Sequence, residues 1–167
     1  MEWRFPSRLD DLTRVGMEAS RFLEAAGIGG RPAYVANLVI EELATNVLKY
    51  GYDDTAVHEV RLRVEVHPDA LHLVLEDDGH SFNPLDVPEP DMHLPVEERP
   101  PGGLGIHLVR KMADRVEYER CDDRNRVTVE IKVKADDPSG AAGSRDPADR
   151  NDPPMGGRVP PGGGRET

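Results

Sequence analysis

The sequence predicts an α/β fold, a two-layer sandwich with a mixed, mostly antiparallel sheet covered by helices on one face. Three observations predict it. Two N-terminal segments carry apolar residues at helical spacing. From residue 57 onward the pattern shifts to an alternation of period two. Each alternating stretch is apolar on one face only, the pattern of an antiparallel or mixed sheet with a single face on the core.

The elements follow in order. Met1–Pro6 reads as a short strand stopped by Pro6. Ser7 or Asp10 can cap a helix running to about Ala26, with Leu12, Val15, Ala19, Phe22 and Leu23 on one face. Pro32 suits the first turn of a second helix, which reaches Tyr50 and is ended by Gly51. Its apolar stripe is Ala36, Val39, Ile40, Leu43, Val47 and Tyr50. In 57–67, Val60, Leu62, Val64 and Val66 alternate with charged residues, and His67–Ala70 is a turn. Leu71, Leu73 and Leu75 give the next strand its inner row. The segment 80–101 holds six Pro and no sustained period, so it reads as a long loop. A helix from about Leu104 to Ala113 places Leu104, Leu108 and Met112 at i, i+4 spacing. Two last strands cover 116–121 and the row Val127, Val129, Ile131 and Val133, joined by a hairpin turn at 122–125.

Composition divides the chain into a domain at 1–135 and a tail at 136–167. The tail has six Pro, seven Gly and no aromatic residue, too little apolar surface to offset its ordering entropy, so it is expected to be disordered. The formal net charge is −11, and the tail's four Arg against six Asp and Glu leave most of it in the domain. An acidic domain lacks the Lys and Arg that neutralise phosphates, which argues against nucleic acid or an anionic membrane as partner. The one cysteine, Cys121, excludes an internal disulfide and a cysteine-based zinc site. There is no long apolar run and no signal-peptide pattern at residues 1–10, so the expected location is cytoplasmic.

Three places can carry chemistry. Glu42 and Asn46 lie one turn apart on the second helix, at the border of its apolar stripe. A carboxylate there can orient or deprotonate a nucleophile, and an amide oxygen can ligate Mg²⁺. The same spacing also describes an ordinary solvated helix face. Asp77 continues the inward row of Leu71, Leu73 and Leu75, and a buried acid needs a partner, which the exocyclic amine of adenine can supply. Gly79 follows where a close backbone approach needs no side chain; an Asp-Gly turn at a strand exit is the plainer account. Gly102, Gly103 and Gly105 open a helix whose N-terminal N–H groups suit phosphates, although a hinge reads the same way. There is no P-loop, no zinc-protease motif and no eukaryotic-type kinase motif. The six histidines are scattered and read as surface or loop residues.

The order of these pieces resembles the GHKL ATPases, a superfamily that includes gyrase-type topoisomerases and histidine kinases. Glu42-Leu-Ala-Thr-Asn46 resembles their N box. Asp77-Asp-Gly79 followed by Phe82 resembles their adenine-binding box, and Gly103-Leu-Gly105 resembles the box that closes the lid over the phosphates. The resemblance covers roughly residues 1–134. Within the superfamily the chain looks most like the anti-sigma-factor serine kinases of bacterial partner switching, which bind ATP in a Bergerat-type fold. Such kinases bind a sigma factor or phosphorylate a serine of a small STAS-type antagonist. The resemblance implies ATP and Mg²⁺ as cofactors, Glu42 as general base, Asn46 as Mg²⁺ ligand and Asp77 as adenine reader. It implies that Gly79, Gly103 and Gly105 shape the nucleotide pocket and that Lys49, one turn beyond Asn46, touches phosphate. A homodimer is implied by the resemblance alone. One departure stands out: many relatives hold adenine with a Thr near the start of the last strand, whereas here Val127 takes the inward position and Thr128 faces away. The loop is also acidic, with Glu89, Asp91, Glu97 and Glu98.

Three functions fit this reading. The first is a serine/threonine protein kinase that regulates transcription through a STAS-type antagonist. The second is a non-catalytic ATP-binding anti-sigma-type regulator. The third is a free-standing ATPase domain of the histidine-kinase kind. A carboxylate at Glu42 bears on the first against the second, because a pure binder has no need of a base.

Overall fold

A computed structural model describes residues 1–90 and 104–133. The elements run β1 (Glu2–Pro6), α1 (Leu9–Ala25), α2 (Gly30–Tyr50), β2 (Glu59–Val66), β3 (Ala70–Asp77), α3 (Leu104–Met112), β4 (Arg115–Cys121) and β5 (Arg124–Lys132), with a single 3₁₀ turn at Pro84–Asp86. The strands form one sheet in the order β1-β2-β3-β5-β4, and every pairing is antiparallel. The mixed sheet of the sequence reading therefore resolves to its antiparallel form among the described residues.

The alternation in the sequence fixes the two faces. Phe5, Val60, Leu62, Val64, Leu71, Leu73, Leu75, Val127, Val129 and Ile131 are buried on the inner face. They meet Leu12, Val15, Ala19 and Leu23 of α1 and Val35, Ala36, Val39, Ile40, Leu43 and Ala44 of α2 in one core. Burial of this apolar surface is the main term holding the two layers together. The outer face carries Arg, Glu and His in cross-strand rows, for example Glu65 opposite His72 and His72 opposite Glu130.

Several expectations need correcting. The cap of α1 is Arg8, with no side-chain bond; Ser7 instead accepts from the His58 N–H at 3.1 Å, tying β1 to the start of β2. Asp10 lies inside the first turn beside Asp11, where negative charge complements the helix dipole. Tyr50 is 67% exposed and does not belong to the buried stripe of α2; it stands beside an open cleft and not in the core. On α3 the buried residues are Ile106 and Val109, while Leu104 and Leu108 are exposed. The reason is that α3 packs on α2, and that contact selects the face three residues apart. The β4–β5 hairpin turns on only Asp122 and Asp123, both in the left-handed region at φ 51° and 59°, the arrangement a two-residue type I′ turn needs. The tail at 136–167, Gly102 and Gly103, and the loop acids Asp91, Glu97 and Glu98 lie outside the described residues.

Candidate functional site

One cleft opens between α2, the end of β3, the start of β5 and α3. Its empty volume is about 470 Å³, part of it shared with solvent. The floor is apolar, built from Leu43, Val47, Leu75, Ile106 and Val127, with Phe82 and Pro84 at the loop side. The polar side chains are few: Asn46, Tyr50, Asp77, His80 and Asn125. An apolar cleft with a few convergent polar groups is the usual form of a small-molecule site.

Asp77 ends the inward row of β3 as the alternation predicts, and it is 4% exposed. Its Oδ1 accepts from the Gly79 N–H at 2.9 Å and from Asn125 Nδ2 at 2.9 Å. Among the described residues Oδ2 has no donor. Burial pushes the Asp77 carboxyl above its usual range, and the two hydrogen bonds pull partly back. The carboxylate is thus held by one oxygen and leaves the other for a ligand N–H.

Gly79 is required by space. A Cβ there would lie 2.5 Å from the Gly51 carbonyl oxygen and 2.8 Å from Asp77 Oδ1. The His80 N–H donates to that same Gly51 carbonyl at 2.8 Å, so the end of α2 and the loop after β3 are zipped together. Beside this junction Tyr52 stacks on His58 at 3.8 Å. Burial first, then the charges of Asp77 and Asp78, push the Tyr52 phenol far up.

Asn46 is half-buried on α2, and its Nδ2 donates back to the Glu42 carbonyl at 2.6 Å. That bond uses one of the two N–H groups of the amide, and Asn46 lines the cleft. Glu42, one turn earlier, is also half-buried. Its carboxylate lies against Gly105 at the start of α3, where any Cβ would overlap it. Lys49 is exposed and is not among the residues lining the cleft. The structure therefore brings Asn46 and Asp77 to one cleft; Gly79 sits behind Asp77 against Gly51, Glu42 meets Gly105, and none of these three lines the cleft, while Gly103 lies outside the described residues.

Asn125 is the residue that sequence reasoning missed. It is the direct β-partner of Asp77 and is 4% exposed. Its signal was present: counting back by two from Ile131, Val129 and Val127 reaches Asn125. Val127 does face the cleft, while Thr128 lies on the outer face beside His72 and Glu130.

A family model describing the histidine kinase-like ATPase domain matches residues 5–131. The chain belongs to that family. The fold agrees with it, an antiparallel five-stranded sheet with its helices on one side and a cleft at the end of the second helix. Among individual relatives, the chain is similar to the protein named serine-protein kinase RsbW in Bacillus velezensis, at 28% identity over 58% of this chain and 67% of the relative. The RsbW serine-protein kinase of Bacillus subtilis is 28% identical over 64% of this chain and 71% of its own length. That of Bacillus mycoides is 28% identical over 57% and 65%. The chain thus spans about two thirds of the length of the relatives it matches. Among the described residues, no helix of this ATPase domain is long and apolar enough to cross a membrane.

Proposed function

We propose that this chain is an ATP-dependent serine protein kinase of the partner-switching kind. In this reading it transfers the γ-phosphoryl group of ATP to a serine of a small STAS-type antagonist and so governs a sigma factor. The observation that carries the reading is the convergence of three polar side chains. Asp77 and Asn46 open onto one apolar-floored cleft, and the Glu42 carboxylate lies one helical turn from Asn46. The family membership and the naming of the relatives as serine-protein kinases support it.

The residues present fit ATP and Mg²⁺. The free Oδ2 of Asp77 is an acceptor for an exocyclic amine, and the apolar floor suits a planar base. Asn46 lines the cleft with its amide anchored through Nδ2 to the Glu42 carbonyl, and its Oδ1 is the hard oxygen it would offer to Mg²⁺. When bound, ATP and Mg²⁺ supply the transferable phosphoryl group and the neutralisation of its charge. Glu42 then serves the incoming serine: its carboxylate accepts the hydroxyl proton as the oxygen attacks. Gly79 and Gly105 leave room for the Gly51 carbonyl beside Asp77 and for the Glu42 carboxylate, and so support the pocket from behind; Lys49 reaches phosphate by the length of its side chain.

The test is transfer of labelled γ-phosphate from ATP to a STAS-type protein encoded beside this gene, with the phosphoserine mapped by mass spectrometry. Transfer that requires Mg²⁺ is expected. Tight ATP binding without transfer to any such neighbour would overturn the kinase reading and leave a nucleotide-binding regulator.

A further inference from the structure

Far from the nucleotide cleft, the outer face of the sheet carries a set of metal-ligating side chains that the kinase reading leaves unused. Glu65 of β2 and His72 of β3 are direct cross-strand partners, and His67 stands in the turn between these strands. One ligand atom of each lies within 4.8 Å of the others. The two imidazole rings are 4.8 Å apart between centroids and tilted by 51°. His67 Nε2 lies 3.7 Å from Glu65 Oε2, and on the far side His72 Nε2 lies 3.6 Å from Glu130 Oε2. Those spacings approach the edge of a tetrahedron around zinc, roughly 3.4 Å for bonds of about 2.1 Å.

The geometry points to a surface site for a divalent transition metal, zinc foremost, held by Glu65, His67 and His72 with the Glu130 carboxylate alongside. The hairpin fixes the set. The His67 N–H donates to the Ala70 carbonyl at 2.8 Å, closing the turn, so His67 and His72 are held on one side of a two-strand ribbon. All four side chains are partly exposed, so their rotamers can close the remaining distance without moving the backbone. The donor set selects the metal. Two imidazoles suit zinc and its transition-metal neighbours, whereas Mg²⁺ and Ca²⁺ prefer sites made wholly of oxygen. Two carboxylates beside two neutral imidazoles also offset the charge of a divalent cation.

The site is independent of the proposed nucleotide chemistry. His72 is five residues from Asp77 along β3, roughly 16 Å at about 3.3 Å per residue. A bound metal would staple β2 to β3 across their turn, so its first effect is on the stability of the ATPase domain.

The test uses the full chain, stripped with chelator and titrated with zinc chloride by calorimetry, with melting followed in parallel. One zinc per chain and a raised melting temperature are expected, with no such response to magnesium. His67→Ala and His72→Ala should each weaken zinc binding by roughly tenfold or more, at least the loss that follows damage to a ligand's supporting partner. His58→Ala should keep it, and ATP affinity should be unchanged in His72→Ala. No zinc uptake by the wild type, retention by both histidine variants, or loss in His58→Ala would overturn the assignment. Should a variant fail to fold, X-ray absorption of the zinc-loaded wild type decides: two imidazole ligands are expected, and one or none overturns it.

Discussion

Asp77 and Asn125 are direct partners across β3 and β5, and the Asn125 amide donates to Asp77 Oδ1 at 2.9 Å. The same amide donates to the His80 carbonyl at 2.7 Å. Its oxygen accepts from the Tyr118 hydroxyl and from Arg120, each at 2.9 Å. One buried side chain therefore ties the carboxylate to the loop that leaves β3 and to the edge strand β4. It also fixes which Asp77 oxygen is engaged and which is left to a ligand.

Replacing Asn125 by Ala should expose that role. The substitution removes a donor from a buried carboxylate and leaves the His80 carbonyl short of a partner. Each such loss costs about 1–3 kcal/mol, which at about 2–8 °C per kcal/mol is a visible fall in melting temperature. ATP affinity should fall as well, since Asp77 loses its orientation. Thermal melting and calorimetry check both. A variant that melts normally and binds ATP normally would remove Asn125 from the site.

The contrast between these two partners shows what the sequence could reveal. Asp77 was legible because three leucines at period two led directly to it. Asn125 continues an equally regular row, but Asn favours turns, and the polar run before it made the turn look two residues longer than it is. The buried face of α3 was not legible either. A helix of nine residues carries two apolar rows, and only the packing on α2 selects Ile106 and Val109 over Leu104 and Leu108. Nor does any local pattern bring Glu42 against Gly105, because the order of strands and helices that joins them is set by long-range pairing.

Asp77→Asn should separate stability from binding. In the folded state the Asp77 carboxyl lies above its ordinary value because of burial. A raised carboxyl favours the protonated folded form, so its stability contribution is full below the unfolded value and is lost as pH rises through the folded value. At neutral pH the ionised group is therefore a cost. Asn keeps an oxygen for the Gly79 and Asn125 donors and removes the charge. The variant should melt no lower than the wild type at pH 7, with its advantage shrinking as pH falls through the carboxylate range. Its ATP affinity should drop roughly tenfold to a hundredfold, matching about 1.5–3 kcal/mol for a charged hydrogen bond.

Two glycines predict two different failures. At Gly79 a methyl group would meet the Gly51 backbone carbonyl at 2.5 Å, and backbone cannot step aside cheaply. Gly79→Ala should therefore lower the melting temperature and ATP binding together. At Gly105 the obstacle is the Glu42 carboxylate, the end of a flexible side chain. Gly105→Ala should leave the melting temperature nearly unchanged while displacing that carboxylate. In a transfer assay it should reduce turnover more than ATP affinity. Equal thermal losses for both variants would contradict this account.

The His58 cluster should make stability depend on pH. His58 Nε2 pairs with Asp54 at 2.9 Å, its Nδ1 faces Asp78 at 3.4 Å, and Tyr52 stacks on the ring. The hydrogen bond to Asp54, followed by the charges of Asp54 and Asp78, raises the imidazole above its ordinary value. The same bond lowers Asp54. The raised histidine contributes fully below its unfolded value and loses that contribution as pH rises through its folded value. Asp54 contributes above its unfolded value and loses it as pH falls through its folded value. The pair is thus strongest between the two folded values. His58→Gln should flatten the melting temperature across the histidine range, from about pH 5 to about pH 8. An unchanged slope would assign the pH dependence elsewhere.

The sharpest expectation divides the two polar residues of α2. Glu42→Gln is nearly isosteric and keeps the backbone carbonyl to which Asn46 donates. The fold and most of the ATP affinity should survive it. If the Glu42 carboxylate accepts the serine proton, phosphoryl transfer should fall by roughly 10²–10⁴-fold, the usual contribution of a positioned general base. Asn46→Ala should behave differently. It removes the amide oxygen proposed to hold the metal, so Mg²⁺-dependent ATP binding should fall along with transfer, while binding measured without Mg²⁺ changes little. Calorimetry with and without Mg²⁺, run beside the labelled-phosphate assay, separates the two patterns. Full transfer by Glu42→Gln would rule out the base. Loss of ATP binding in that variant would mean that Glu42 belongs to the nucleotide pocket itself, where its position against Gly105 would support the backbone at the start of α3.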